Sequence, residues 1–329
     1  MRAFVLQGHG GPEKLVYEKA WPRPEVRAGE VLIEVRACGV NNTDVNTRLG
    51  WYGSGGWSKP LDFPRIQGAD ICGRVVDGEA AGRRVLVDPW LRDRDEPTAL
   101  DKCGYLGSER DGGFAEFVSV PAENVHAIES TLSDVELASF ATASVTAANM
   151  LDRARVTEGE DVLITGASGG VGSALVQLAR GRGARPIAVC SASKAEAVRA
   201  LGAVTALPRD DETALEGVTV DVVLDVVGGP GWQRLMRLLR RGGRYCCSGA
   251  IAGPIVELDL RTLYLNDLTF TGATVTPPHL FGELVRTIER GELEPVVAAT
   301  FPLEELHAAQ EMFLAKEHVG NIVIAVQTA

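Results

Sequence analysis

The sequence predicts an α/β protein in which a doubly wound parallel sheet forms one domain and a smaller, β-rich, barrel-like region forms another. Two patterns and the chain length lead to this prediction. In the second half of the chain, apolar runs alternate with helical segments, as they do in a βαβ series. In the first part, short apolar or alternating runs are separated by glycine and proline, which suits a small barrel. A length of 329 residues favours about two domains.

The β-rich domain is expected to combine both ends of the chain, over residues 1–125 and 276–329. Its strands are predicted at residues 3–7, 31–37, 71–76, 84–87 and 114–120. After residue 275 the sequence predicts helices near 280–290 and 303–315 and a last strand at 321–326. We expect this tail to pack back on the first domain. The charged stretch 90–109 is expected to be a solvated loop.

The parallel sheet is expected within residues 126–275. Apolar runs predict its strands at 161–164, 186–190, 221–227, 244–248 and 268–272, with helices at 194–201 and 232–240 between them. The last of these strands lies at a sheet edge, where it can pair with its own copy across a two-fold axis. The sequence therefore predicts a homodimer.

A glycine-rich turn joins the first strand of this sheet to a helix. Ala167, Gly169 and Gly172 occupy the three small positions of a G-x-G-x-x-G pattern, and Ser168, Gly170 and Val171 complete the loop. Small residues there permit a tight turn, close approach of the backbone to a pyrophosphate, and close packing of helix on strand. Because the helix begins at this loop, its free amides and positive end favour an anion. The loop predicts a dinucleotide-binding site.

The end of the second strand predicts which dinucleotide binds. A site that prefers NAD places an acidic residue there, whereas this chain has Ser191, Ser193 and Lys194. These side chains can donate to a 2′-phosphate, so NADPH is the expected cofactor. The alternative is that Ser193 and Glu196 form a capping box and Lys194 is only solvated.

Glycines also end two later strands of the predicted sheet, where a doubly wound sheet binds its ligand. Without a side chain, they let a cofactor approach the backbone. The expected contact positions are Val227, Gly228, Ser248, Gly249 and Ala250.

The composition excludes several classes of partner. A net charge of −11 without a long basic run argues against nucleic acid and against an anionic membrane surface. No apolar run is long enough to cross a bilayer, and the N-terminus turns polar too soon for a signal peptide. The six cysteines show no C-x-x-C spacing, so we expect them to be reduced. A cytoplasmic protein is therefore expected.

The order of these segments resembles the medium-chain dehydrogenase/reductase superfamily, and within it the zinc-independent quinone oxidoreductase-like branch. The resemblance covers nearly the whole chain. It rests on Ala-Cys-Gly-Val-Asn-Asn-Thr-Asp at 37–44, Ile-Gln-Gly-Ala-Asp-Ile-Cys-Gly at 66–73, and the segments 82–87, 111–118, 165–172 and 318–324. It implies a GroES-like catalytic domain, a Rossmann domain, and hydride transfer with a nicotinamide cofactor.

The metal ligands of the zinc-dependent relatives are missing. Alcohol dehydrogenases of the superfamily carry a cysteine at the position of Asn41 and a histidine followed by glutamate at Ala69 and Asp70. Where they bind a structural zinc through four closely spaced cysteines, this chain has Cys103 alone. A tetrahedral zinc site needs several converging nitrogen or sulfur ligands, so no metal is expected.

Without a Lewis acid, reduction of a simple ketone is difficult, whereas a quinone or an α,β-unsaturated carbonyl spreads the new charge over its own π-system. The expected substrate is therefore an activated acceptor of this kind. The alternative enzyme is an alcohol dehydrogenase with altered metal ligands. The alternative of a different class is a catalytically inactive nucleotide-binding protein with a regulatory or structural role.

The resemblance also implies catalytic residues. Asn41 and Tyr52 match polar positions of the quinone reductases near the nicotinamide. Tyr52 is expected either to donate a proton or bind the oxyanion, or only to shape the rim of the pocket. Asp44 is expected to be structural and to pair with Arg48 one helical turn later.

Two further features follow from the same resemblance. Thr146 matches a family threonine near the nicotinamide, and helix capping is its alternative role. The segment 51–57, with its glycines between aromatic residues, is expected to be either a substrate gate or a surface turn.

Overall fold

The structure is a computed structural model that describes residues 1–54 and 61–326. The chain divides into two compact units. Unit 1 comprises Met1–Ala143, Pro277–Gly291 and Pro295–Ala329, and unit 2 comprises Ser144–Thr276 and Glu292–Glu294.

The N-terminal part of unit 1 is built mainly of short strands. Their bounds are β1 (Ala3–Leu6), β2 (Leu15–Glu18), β3 (Glu30–Val40), β4 (Arg65–Ile66), β5 (Asp70–Val75), β6 (Arg84–Val87), β7 (Trp90–Leu91), β8 (Gly104–Tyr105), β9 (Phe117–Pro121) and β10 (Val125–Ala127). In the described residues of this part, helix α1 (Asn42–Leu49) follows β3 and helix α2 (Asp134–Leu137) follows β10.

Unit 2 contains a parallel sheet with helices between its strands. Helix α3 (Ala141–Arg153) precedes the sheet, and its strands are β11 (Asp161–Ile164), β12 (Arg185–Cys190), β13 (Thr205–Pro208), β14 (Val220–Asp225), β15 (Leu239–Cys247) and β16 (Thr269–Gly272). The connecting helices are α4 (Gly170–Gly181), α5 (Ala195–Ala200), α6 (Trp232–Leu238) and α7 (Leu260–Leu265).

Within the described part of the chain, these six strands pair in the order β13-β12-β11-β14-β15-β16, and every pair is parallel. The order reverses between β11 and β14, whose registers match Ile164 with Leu224. In open α/β sheets, ligands bind outside the carboxyl ends of strands at such a reversal. Apolar side chains of β11, β14 and α4 form the core that supports this edge, among them Val162, Val222 and Leu175.

The C-terminal tail completes unit 1 with α8 (Pro278–Glu289), β17 (Val297–Pro302), α9 (Leu306–Ala315) and β18 (Asn321–Ala325). Strand β18 pairs antiparallel with β3, so that Ile322 lies opposite Val40. The resulting sheet runs β10-β6-β5-β3-β18-β17 in the described residues, with β9 paired to β3. Its core includes Phe4, Ile33 and Phe114, which are fully or almost fully buried.

Several segments differ from the sequence-based expectation, among them β2, β10 and β17 of unit 1, for which no strand was predicted. Strand β13 was not predicted, because it is short, ends in proline and has Leu207 as its single strongly apolar residue. The expectation of a solvated loop at 90–109 was wrong at both of its ends: Trp90 and Tyr105 are buried and pack edge to face, and β7 pairs with β8. Its central part, from Asp93 onward, is largely exposed.

No helix in the two described ranges combines the length and the apolar character that crossing a membrane requires.

Candidate active site

The glycine-rich loop of unit 2 leaves the backbone open at the start of α4. The helix has Gly169 as its N-cap, and glycine has no side chain that could accept a hydrogen bond from the first amides of the helix. A Cβ atom at Gly172 would lie 2.6 Å from the Ala167 Cα atom and closer still to the Gly166 carbonyl oxygen, so only glycine fits. A Cβ atom at Gly169 would lie 3.5 Å from that same oxygen, which is an ordinary contact. The loop is therefore tight where helix packs on turn and open where a ligand would approach.

The other loop positions surround this opening. Ala167 is buried, and its amide donates to the Val189 carbonyl oxygen at 3.2 Å. Ser168, Gly170 and Val171 are half-buried. Uncapped helix amides beside partly exposed small residues fit a dinucleotide pyrophosphate.

The end of β14 meets this loop, and the end of β15 meets the end of β14. A Cβ atom at Gly166 would lie 3.1 Å from the Val226 side chain, and one at Gly249 would lie 3.0 Å from the Val226 carbonyl oxygen. Gly228 has φ +61°, and a Cβ atom there would lie 3.3 Å from the Ala250 Cβ atom. The structure thus brings together the three backbone segments that were expected to contact the cofactor.

Two of the expected contact residues use polar groups within unit 2. The Ser248 hydroxyl donates to the Ala273 carbonyl oxygen at 2.7 Å. The Val227 amide donates to the Asp225 carboxylate at 2.8 Å. Both residues remain half-buried at the strand ends.

The end of β12 carries a group of polar and basic side chains. The hydroxyl oxygens of Ser191 and Ser193 lie 3.4 Å apart. The capping-box alternative for Ser193 was wrong, because Lys194 is the N-cap of α5 and the helix has no side-chain cap.

Sequence reasoning missed Arg209 in this group. Burial raises the pKa of the Cys190 thiol, and the positive charges of Lys194, Arg199 and Arg209 act on the same thiol in the opposite direction. The Arg209 amide donates to the Cys190 carbonyl oxygen at 2.8 Å, which fixes the arginine at the end of β12. It was missed because it follows β13, the strand that the sequence pattern did not reveal.

In unit 1, Asn41 and Asp44 form the N-terminus of α1. The Asp44 carboxylate accepts a hydrogen bond from the backbone amide of Asn41 at 2.7 Å and one from the backbone amide of Gly68 at 3.2 Å. The expected pairing of Asp44 with Arg48 was wrong, because Arg48 donates to the Gly10 carbonyl oxygen instead. Asp44 lies in the first turn of α1, where its carboxylate accepts from the backbone amide of the N-cap residue. This bond takes the place of a pairing with a side chain one turn later.

A second buried carboxylate lies beside this helix start. Asp70 accepts from the Thr142 amide at 2.7 Å, and the Thr142 hydroxyl is hydrogen-bonded to the Tyr105 hydroxyl at 2.8 Å. The Asn41 side chain is near enough to lower the pKa of Asp70, but its buried amide nitrogen makes no hydrogen bond of normal geometry. Asn41 thus places a buried amide donor beside the Asp70 carboxylate.

The pKa values of both carboxylates are raised toward neutral pH. Burial raises the pKa of Asp44 to about 7, and the charge of Asp70 adds to the shift. Burial raises the pKa of Asp70 to about 6. The two groups interact, so they titrate as a pair near neutral pH.

Tyr52 belongs to the same polar cluster. Asn46 donates to the Tyr52 hydroxyl at 3.3 Å, and burial raises the pKa of Tyr52. Burial also raises the pKa of Tyr105, and the charges of Asp70 and Tyr52 raise it further. The two expected catalytic residues are thus both held by α1, Asn41 as its N-cap and Tyr52 through the hydrogen bond from Asn46.

The remaining expectations have a mixed outcome. Thr146 lies inside α3, which begins at Ala141, so the helix-capping alternative was wrong. The Trp51 ring packs edge to face against Tyr52, whereas residues 55–57 of the expected gate lie outside the described residues. Across residues 1–54 and 61–326, no group of three or more His, Cys, Asp or Glu side chains could bind a metal ion.

A parallel sheet with a glycine-rich loop after its first strand, in a chain that also carries a GroES-like β unit, is typical of a nicotinamide-dependent dehydrogenase or reductase. The family model for the alcohol dehydrogenase GroES-like domain matches residues 27–130, and the model for zinc-binding dehydrogenase matches residues 170–290. The chain belongs to the medium-chain dehydrogenase/reductase superfamily. It is an oxidoreductase that binds a nicotinamide cofactor.

Relatives extend over nearly the full length. The chain is 30% identical to acryloyl-coenzyme A reductase of Metallosphaera sedula, with 98% of this chain and 99% of the relative covered. It is 28% identical to mouse quinone oxidoreductase, with 94% and 93% covered. A crystal structure of a candidate alcohol dehydrogenase from Sinorhizobium meliloti is 46% identical, with a TM-score of 0.94 and coverage of 99% and 96%.

Proposed function

We propose that the protein transfers a hydride from NADPH to a quinone or an α,β-unsaturated carbonyl without zinc, as a member of the quinone oxidoreductase-like branch. The observation that carries the proposal is the buried cluster of Asn41, Asp70, Thr142 and Tyr105. At Asn41, where zinc-dependent relatives have a cysteine, the chain presents an amide donor with no hydrogen-bond partner of normal geometry. A donor at that position suits a carbonyl oxygen that becomes negative, and does not suit a metal.

The chain's own residues have two tasks in this reaction. When bound, the nicotinamide cofactor would supply the hydride for a conjugated acceptor, whose carbonyl oxygen then becomes negative. Asn41 donates a hydrogen bond to that oxygen and stabilises the enolate or phenolate. Tyr52, whose raised pKa keeps it protonated, or water returns the proton. The names of two relatives, for acryloyl-coenzyme A and for quinones, support an acceptor of this class.

The preference for NADPH rests on the end of β12. Ser191 and Ser193 present hydroxyl groups, and Lys194, Arg199 and Arg209 supply positive charge near Cys190. A 2′-phosphate carries negative charge and three acceptor oxygens, which this group of side chains complements. No acidic residue stands at 190–194 to repel it.

A homodimer is the proposed assembly. Strand β16 is an edge of the parallel sheet, and the segment before it exposes large apolar side chains on a short helix: Leu260, Tyr264 and Leu265 are each more than 60% exposed. An edge strand that pairs antiparallel with its copy about a two-fold axis brings each such segment beside its counterpart. The occupant of this surface is therefore proposed to be a second copy of the chain.

The test is oxidation of NADPH and NADH by metal-free protein with four acceptors: a benzoquinone, a conjugated enone, a conjugated acyl thioester and a simple ketone. Turnover of an activated acceptor with NADPH, unaffected by added chelator, is expected. Turnover of the ketone alone, dependent on added zinc, would favour the alcohol dehydrogenase alternative. Tight binding of NADPH with no turnover of any acceptor would favour the inactive nucleotide-binding alternative.

A further inference from the structure

We infer that Asp225 is a positioning residue that fixes the two backbone segments of the cofactor cradle, and that Thr165 and Tyr245 orient its carboxylate. The inference rests on the proposed binding of the cofactor at the glycine-rich loop of unit 2. It assigns a role to three buried polar side chains that the sequence patterns did not single out.

Asp225 is the last residue of β14 and has no exposed surface. One carboxylate oxygen accepts from the Thr165 hydroxyl at 2.6 Å and from the Val227 amide at 2.8 Å. The other accepts from the Tyr245 hydroxyl at 2.8 Å. The Gly228 amide lies 3.2 Å from both oxygens. A carboxylate surrounded only by donors is matched to its site as an acceptor.

These bonds connect the two segments that face the cofactor. Thr165 directly precedes Gly166, the first residue of the glycine-rich turn, and its hydroxyl also accepts from the Val226 amide at 3.1 Å. On the other side, the carboxylate holds the amides of Val227 and Gly228, where Gly228 has the left-handed φ of +61°. One buried carboxylate therefore sets the distance between the two turns.

The third partner is itself held in place. The Tyr245 ring packs edge to face on Trp232, with centroids 5.7 Å apart, and against Phe270 at 5.5 Å. Burial raises the pKa of Tyr245, and the charge of Asp225 adds to the shift, so the tyrosine stays a donor. The Asp225 carboxylate is thus hydrogen-bonded by a tyrosine of the sheet as well as by groups at both turns.

Thr165→Val tests this role with little change in volume. Valine loses the hydroxyl that bonds Asp225 and Val226, while Thr165→Ser keeps it and serves as the matched control. We expect Thr165→Val to raise the dissociation constant of NADPH about tenfold, the effect of one lost hydrogen bond to a charged group. At saturating NADPH, kcat should stay within about twofold of wild type, since the substituted side chain does not touch the reacting atoms.

Fluorescence titration of the full chain with NADPH, together with thermal unfolding of the cofactor-free protein, separates positioning from stability. Thr165→Ser and Tyr245→Phe give the graded comparison, because serine retains the bond and phenylalanine removes only the donor on the far oxygen. A Thr165→Val protein with a lower Tm but a wild-type dissociation constant would overturn the positioning role. Wild-type protein that binds neither NADPH nor NADH would overturn the proposed function, and the positioning role with it.

Discussion

The substitution Gly169→Ala adds one methyl group that the cofactor-free protein can accommodate and that a bound cofactor would contact. Gly169 has φ −82° and ψ 177°, which alanine adopts freely, and the added Cβ atom would lie 3.5 Å from the Gly166 carbonyl oxygen. Because this is an ordinary van der Waals contact, the free energy of unfolding should stay within about 0.5 kcal/mol of wild type.

The same methyl group would occupy the opening where a pyrophosphate approaches the backbone. Forcing an extra methyl group into a close contact typically costs about 1–3 kcal/mol. That range corresponds to a dissociation constant for NADPH raised about fivefold to about 150-fold. The expected result is therefore a large loss of cofactor binding with almost no loss of stability.

Chemical denaturation of the cofactor-free protein and fluorescence titration with NADPH measure the two quantities. Two glycines of α4 serve as controls. Gly181→Ala, where nothing lies within 4 Å of the new Cβ atom, should leave cofactor binding unchanged. Gly172→Ala should lower stability even without cofactor, because its Cβ atom would lie 2.6 Å from the Ala167 Cα atom.

Two results would refute this reasoning. If Gly169→Ala kept its stability and bound NADPH with the wild-type dissociation constant, the cofactor would not bind against this loop. If Gly169→Ala were destabilised as strongly as Gly172→Ala, the local space at the loop would differ from the structure.

Three other changes have defined outcomes. Asp70 has a pKa raised from 3.8 to about 6, so its contribution to stability is present below about pH 4 and is lost as the pH rises through 6. Asp70→Asn mimics the protonated acid, so its free energy of unfolding should fall less between pH 4 and 7 than that of wild type, by up to about 3 kcal/mol. Denaturation curves across this pH range measure the difference, and a variant with the wild-type pH profile would contradict the raised pKa of Asp70. Arg209→Ala should raise the dissociation constant of NADPH about tenfold and leave that of NADH unchanged, since only NADPH has the 2′-phosphate; equal weakening of both would exclude a role at that phosphate. Tyr264→Glu should shift light-scattering mass from dimer to monomer, because it puts charge into the proposed interface; wild-type protein that is already monomeric at micromolar concentration would exclude the dimer.

Much of unit 2 could be predicted because its signals are local. The strand, the glycine turn and the start of α4 follow one another within residues 161–172, so a contiguous pattern encodes all three. The alternation of apolar runs and helices likewise predicted the parallel sheet, apart from β13. That strand has too few apolar residues to stand out, and its pairing with β12 becomes visible only in the sheet.

The candidate site of unit 1 could be predicted only in part. The resemblance singled out Asn41 and Tyr52, but not Tyr105, which lies at the end of a segment expected to be solvated. The pairing of Asp44 with Arg48 was expected from their spacing on a helix, and the cap at Asn41 took its place. A spacing rule identifies which side chains are able to meet, whereas the three-dimensional neighbours decide which of them do.

By itself, the sequence determined the superfamily, the two kinds of sheet and the glycine-rich loop, since each is written in neighbouring residues and depends on backbone geometry that those residues impose. Only the tertiary structure decided how the buried polar groups pair. Asp70 meets Thr142 across 72 positions, and Thr165 meets Asp225 across 60. The physical reason is that a buried carboxylate must find donors wherever the fold supplies them, and strand pairing supplies them from segments that are far apart in the chain.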